Sequence, residues 1–190
     1  MALEHAILVS LSERAAAGSE LVRRFDASIG FFWSATHQQI YRVLGRMEGE
    51  GWVTADAVPQ ADRPTKKVYA VTDAGRSELA RWIAEPTPPE AMRSSTGVKM
   101  RGASYGDRAA LLEDLRRQLD EHAKRHSLYE FMAARDFPDP GSLEEAELDI
   151  YLVLRGGLLM EEFWIRWLTE YLDAHTPAPG APGTTRKESS

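Results

Sequence analysis

The chain contains no cysteine. Disulfides and thiolate metal centres are therefore excluded, which suits a reducing cytoplasm, the expected compartment. No apolar run approaches the roughly 20 residues of a membrane span. The stretch from Ala6 to Leu11 is too short for the core of a secretory signal, so neither a membrane nor export is expected. Catalytic arrangements are missing as well. There is no Ser/His/Asp order, no glycine loop able to cradle phosphates and no metal triad, so catalytic residues, cofactors and an enzymatic role are not expected. A surplus of positive charge is also lacking, since the net charge is −6.

That deficit is unevenly spread. Residues 1–85 carry 10 Lys plus Arg against 11 Asp plus Glu, a net of −1, whereas residues 86–190 carry 13 against 18, a net of −5. Acid is concentrated in the second half, so a local cluster of cations in the first half remains compatible with a polyanionic partner. At 190 residues, 43% of them apolar and with five Trp, the chain can bury a substantial core. Glu85-Pro-Thr-Pro-Pro89 ends one helical stretch and opens a connector. The expected organisation is a first domain over 1–85, a connector over 86–106, a helical domain over 107–174 and a tail over 175–190. The tail has too few apolar residues to offset its ordering entropy and is expected to be mobile. Residues 90–106 are open to two readings: Met92, Val98, Met100 and Tyr105 fit a short helix packed on the first domain, and Lys99 and Arg101 fit connector cations near DNA, so no site is assigned there.

In the first domain, Ile40, Val43, Leu44 and Met47 recur at three and four residues, as on the buried stripe of an amphipathic helix. Counting 100° per residue, Ser34, Gln38, Tyr41, Arg42 and Gly45 fall on the opposite face, with His37 and Arg46 at its edges. These are groove-reading residue types: Gln suits an adenine edge, Arg suits guanine or phosphate, and hydroxyls suit phosphate oxygens. Ser34, Thr36, His37, Gln38, Tyr41, Arg42 and Arg46 are the candidates. Gly49 and Gly51 then stop the helix, Trp52 to Val58 alternates as a strand, Pro59 to Thr65 is rich in breakers, and Lys66 to Val71 returns as a second strand. The expected hairpin tip carries Arg63, Lys66 and Lys67, suited to phosphates beside a groove. Thr72 caps a following helix. Upstream, Leu3, Ile7, Leu8 and Leu11 mark a first helix, Ser19 to Phe25 a short second one, and Ile29 to Trp33 a turn. Helix, short helix, turn, helix and hairpin describe a winged helix-turn-helix.

Ser19-Glu20-Leu21, the run Ser28 to Arg42, Gly51-Trp-Val53 and Arg63 to Gly75 resemble the PadR family of transcriptional regulators, in particular its longer subfamily with a helical C-terminal half. The resemblance implies a homodimer, usually a repressor, that binds double-stranded DNA at a palindromic operator. It places the family's recognition-helix tyrosine on Tyr41 and its basic wing on Arg63, Lys66 and Lys67. There is one departure. Such proteins often carry Lys in mid-helix where this chain has Gly45, which removes a cation and costs about 1 kcal/mol of helix propensity relative to Ala. The alternative reading is a winged helix that binds a protein or a ligand in place of specific DNA.

In the second half, Asp107 is a helix cap, and Leu112, Leu115, Leu119, His122, His126, Tyr129 and Ala133 follow heptad a and d spacing. Phe137 to Ser142 breaks the chain before a second helix from about Leu143 to Asp173. The expected architecture is thus mainly α with a small β-hairpin wing, ending in an antiparallel helical hairpin that dimerises. On the second helix Tyr151, Leu154, Leu158, Ile165, Leu168 and Leu172 complete one seam. Leu152, Gly156, Gly157, Leu159, Phe163, Trp164 and Trp167 are left for a second subunit, with the glycine pair allowing close helix approach. His122 and His126 have the i, i+4 spacing of a metal-binding pair, but hydrogen bonds across the seam are the favoured reading, and no metal site is assigned. Arg155, Glu161 and Glu162 either pair as ions at an interface, the favoured reading, or hold an effector beside Trp164 and Trp167. Family members often respond to small aromatic compounds at such interfaces, so the resemblance marks Arg155, Glu162, Trp164 and Trp167 as an effector site.

Overall fold

The computed structural model describes residues 2–27, 35–60, 63–89 and 91–175, and for Ala2, Asp26, Ala27, Gln60, Arg63, Pro64 and Thr65 the backbone only. The expected turn at 29–33, Ser34 and the tail from 176 onward lie outside the described residues, as does the side chain of Arg63. The chain divides into two compact units, Met1–Glu90 and Ala91–Ser190.

The first unit runs α1 (Ala2–Glu13), β1 (Ala16–Ala17), α2 (Gly18–Ala27), α3 (His37–Gly49), β2 (Val53–Gln60), β3 (Arg63–Val71) and α4 (Asp73–Ile83). Its core forms where the inner stripe of α3, Ile40, Val43, Leu44 and Met47, meets Ile7 and Leu8 of α1, Leu21 and Phe25 of α2, and Val53 and Tyr69 of the sheet. All four stripe positions are buried, as the 3.6-residue period requires. The strands order as β1-β3-β2, antiparallel throughout, with Val53 opposite Val71 and Ala17 opposite Val68. The two-residue strand β1 carries no β-branched or aromatic residue and was not expected. Its backbone gives the inner edge of β3 a partner.

The hairpin departs from expectation. Residues 59–65 were expected as a turn, yet pairing continues to Gln60 opposite Arg63, with an irregularity between Val58 and Gln60. Pro59 is tolerated because β2 is an edge strand and a bulge needs no ladder hydrogen bond there. Lys66 and Lys67 therefore lie in the body of β3 and not at a loop tip. Two glycines have geometric duties. Gly51 turns the chain from α3 into β2 at φ +73°, and a Cβ on Gly75 would collide with the Trp52 carbonyl oxygen. Thr72 Oγ1 accepts the Gly75 N–H at 3.1 Å, capping α4 where the sequence placed the cap.

The second unit comprises α5 (Ser95–Arg101), α6 (Arg108–Asp136) and α7 (Glu145–His175). Asp107 accepts the Ala110 N–H at 3.0 Å and starts α6. The segment 86–106, expected as a connector with its helix on the first domain, instead contributes α5 to this unit. Met100 is buried with Leu115, Leu168 and Leu172, and the Tyr171 hydroxyl donates to the Met100 carbonyl at 3.1 Å. Met92, Val98 and Tyr105, expected to pack, are 62%, 74% and 94% exposed, because α5 buries only its Met100 side and Met92 and Tyr105 lie outside that helix. Along the α6 and α7 seam, Leu115, Tyr129, Leu154, Leu158, Leu168 and Leu172 are buried. The heptad reading thus matches the observed packing. No helix among the described residues is long and apolar enough to cross a membrane.

Candidate nucleic-acid interface

The outer face of α3 is prepared by its N-terminus. Thr36 Oγ1 accepts the Gln39 N–H at 3.2 Å, and Gln39 Oε1 accepts the Thr36 N–H at 2.8 Å, a capping box that fixes the first turn. Thr36 was expected at the interface, and its hydroxyl is engaged as a cap. From that anchor His37, Gln38, Tyr41, Arg42 and Gly45 are carried outward, all exposed, one turn after another above the buried stripe. Arg42 has no ion-pair partner among the described residues, so its guanidinium is available to a ligand. The ring of Tyr41 lies against Gly18 so closely that a Cβ there would strike it, which holds the phenol at the junction of α2 and α3. Among the described residues nothing within 4 Å would meet a Cβ on Gly45, so none of them gives the glycine a packing reason.

The other expected cations whose side chains are described, Arg46, Lys66 and Lys67, stand beside carboxylates of the chain. Arg46 bonds the nearly buried carboxylate of Glu4 and lies 3.9 Å from Glu50, so it ties α3 to α1. Lys66 Nζ stands 3.8 Å from Glu20 Oε2 on α2, and Lys67 Nζ stands 3.4 Å from Glu48 Oε2 on α3. Glu20 also accepts from Arg14 at 2.9 Å and Arg24 at 3.0 Å. The Arg24 hydrogen bond is the largest influence holding the Glu20 carboxyl below the usual range. Glu4 and Glu48, and the pairing of Glu20 with Lys66, were not foreseen, because these partners are distant in sequence and no local spacing links them.

On α7 the expected residues separate by face. Leu152, Leu159 and Phe163 are 55%, 53% and 43% exposed. Counting 100° per residue, these three and Gly156 lie opposite the seam. Gly157 is buried, so it is not part of that outward stripe. Trp164 lies on a flank and stacks on His122, centroids 5.3 Å apart and planes 12° apart. It also meets Trp167 at 5.3 Å.

The four expected effector residues do not converge within one chain. Arg155 and Trp164 are nine residues apart, about 13.5 Å along the axis and half a turn around it. Glu162 lies 3.6 Å from His126. Glu161 is buried between His122 and Arg125, whose Nε donates to it at 3.0 Å. The two histidines thus reach carboxylates across the seam, the favoured reading of their spacing.

A helix with a buried stripe and a polar outer face, set in a three-helix core beside a paired hairpin, defines a winged helix-turn-helix protein. Comparison with known proteins narrows the class. Residues 7–81 match the model of the transcriptional regulator PadR-like family, and residues 92–176 match that of the virulence activator alpha C-terminal region. The chain is 53% identical over 184 residues to the probable transcriptional regulator Rv1176c of Mycobacterium tuberculosis, covering 92% of this chain and 97% of that protein. It is 31% identical to the negative transcriptional regulator PadR of Bacillus subtilis, with 90% and 95% covered. PadR in complex with operator DNA superposes with a TM-score of 0.79 at 28% identity, covering 92% and 99%, and PadR has also been solved with p-coumaric acid. The Vibrio cholerae virulence activator AphA superposes with a TM-score of 0.75 at 34% identity, covering 90% and 96%. The chain belongs to the PadR-like family of transcriptional regulators.

Proposed function

We propose that this regulator acts as a homodimeric repressor of an inverted-repeat operator. Gln38, Tyr41 and Arg42 of α3 enter the major groove, and Lys66 and Lys67 of β3 contact flanking phosphates. The observation that carries the reading is the outer face of α3, exposed, polar and held by its own cap over a fully buried inner stripe. The similarity to a regulator solved on operator DNA supports the DNA partner, and the description of PadR as a negative regulator supports the sign.

Dimerisation runs through the apolar outer face of α7, where Leu152, Leu159 and Phe163 would otherwise face water. Two recognition helices joined in this way reach successive major grooves about 34 Å apart. A small aromatic ligand lodged beside α7 of the two subunits would change that spacing. The PadR complex with p-coumaric acid supports this class of effector. Because Arg155 and Trp164 diverge on one chain, such a site needs residues of both subunits.

The test is fluorescence anisotropy of the protein on its own upstream region and on a scrambled duplex across a salt series, with sedimentation to read the assembly. Nanomolar, sequence-selective binding by a dimer, with steep salt dependence, is the expected result. Equal, weak binding to both duplexes by a monomer would remove the reading.

A further inference from the structure

The wing lysines are adjacent in β3 and so project to opposite faces of the strand. Each nevertheless has a carboxylate of the helix-turn-helix beside it, Glu20 of α2 at 3.8 Å from Lys66 and Glu48 of α3 at 3.4 Å from Lys67. Glu48 needs explaining, because it stands in the last turn of α3, where the negative end of the helix dipole disfavours an acid. Its position makes sense as a partner for Lys67. We propose that Glu48, with Glu20 in a supporting role, is an intramolecular stand-in for DNA phosphate that any duplex must displace to engage the wing. This rests on the DNA-binding reading above and deepens it.

The physical consequence is attenuation of sequence-independent binding. In the free protein Lys67 already has a counter-anion. A phosphate that takes its place frees the Glu48 carboxylate within a Debye length of about 10 Å of the DNA backbone, where it repels phosphate and gathers a cation. The cation release that drives non-specific binding is thereby partly cancelled. Affinity then leans more on groups such as Gln38 and Arg42 that read base edges. This also gives the −1 charge of the first 85 residues a use. The chain keeps wing cations without presenting them unopposed to every duplex.

Glu48→Gln is the principal variant, since Glu20 also holds Arg14 and Arg24 and its loss would disturb α2. Anisotropy on a scrambled duplex should show Glu48→Gln binding about fivefold tighter than the parent, the scale of one surface ion pair. The log–log salt slope should steepen by up to about 0.9, the share of one phosphate contact. Lys67→Met should cost more in the Glu48→Gln background than in the parent, because only there is the lysine unopposed. Glu113→Gln, the same charge change at an exposed position on α6, controls for net charge. If Glu48→Gln binds no tighter than Glu113→Gln while the parent binds DNA, the clip is refuted and the DNA reading stands. If neither the parent nor any variant binds any duplex at low salt, the DNA reading fails and the clip falls with it.

Discussion

Helices α3 and α7 are built alike and finished differently. Each buries one stripe in its own unit and turns the opposite stripe outward. On α3 the outward stripe is Gln38, Tyr41, Arg42 and Gly45, while on α7 it is Leu152, Gly156, Leu159 and Phe163. The inner stripes are alike in chemistry because both face protein cores. On the proposed function the outer stripes differ because their partners would differ: a hydrated, charged surface needs donors that can exchange with water, whereas a second apolar helix needs area removed from water. An outward face thus reports the chemistry of what it meets. Three substitutions on these helices, one at the cap of α3 and one on α4 would break or sharpen the contrast.

The largest effect should come from an inner stripe. Leu44 is fully buried, and Leu44→Ala should cost about 2–5 kcal/mol of stability in denaturant titration. A loss below about 1 kcal/mol would show that the α3 stripe is not a packed core. Next comes the outer stripe of α7. Phe163→Glu should weaken self-association at least about tenfold, since a charge would be buried without a partner. Sedimentation of the variant as a stable dimer at the parent's concentration would place the interface elsewhere.

The outer stripe of α3 should behave in the opposite way. Arg42→Ala should leave the melting temperature in place and cost about 1–3 kcal/mol in operator binding. Loss of stability with unchanged DNA affinity would make Arg42 structural. Thr36→Ala should cost about 1 kcal/mol of stability by opening the capping box. It should weaken operator binding only as far as the first turn of α3 frays. Amide exchange at Gln39 reads this directly, and unchanged protection there would argue against the cap.

Periodicity made the two stripes legible, because a helix repeats every 3.6 residues whatever it packs against. The caps Thr72 and Asp107 were legible for a related reason, since each bonds an N–H three residues on within its own segment, whereas Thr36 caps α3 in the same way but was read as a groove contact. What sequence could not show depends on contacts between distant segments. Strand β1 is two alanines whose conformation is set by β3. Glu4 and Glu48 are ordinary surface acids until Arg46 and Lys67 are brought beside them. Pro59 misled for a related reason, since a proline marks a turn or a bulged edge strand equally well and only the pairing decides. Arg155 and Trp164 were grouped as polar and aromatic intrusions in one helix, and the helix itself turns them apart.

The smallest expected effect concerns a partly buried acid on α4, away from both stripes. Glu78 accepts from Arg81, with Nη2 at 2.6 Å, and from His5 at 3.0 Å, while the His5 ring stacks on Trp82 at 4.4 Å. The Arg81 hydrogen bond first, and the His5 bond second, hold the Glu78 carboxyl down at about 2. A carboxyl whose folded value lies below its unfolded one stabilises the fold above about pH 4.5, and that contribution is lost as pH falls towards 2. In a series of urea melts, the parent should therefore lose more stability than Glu78→Gln between these pH values, and the two curves should converge at the acid end. The difference should be modest because water screens the Arg81 pair. A gap that stays constant across the series would mean that Glu78 acts through packing on His5 and Trp82 and not through its charge.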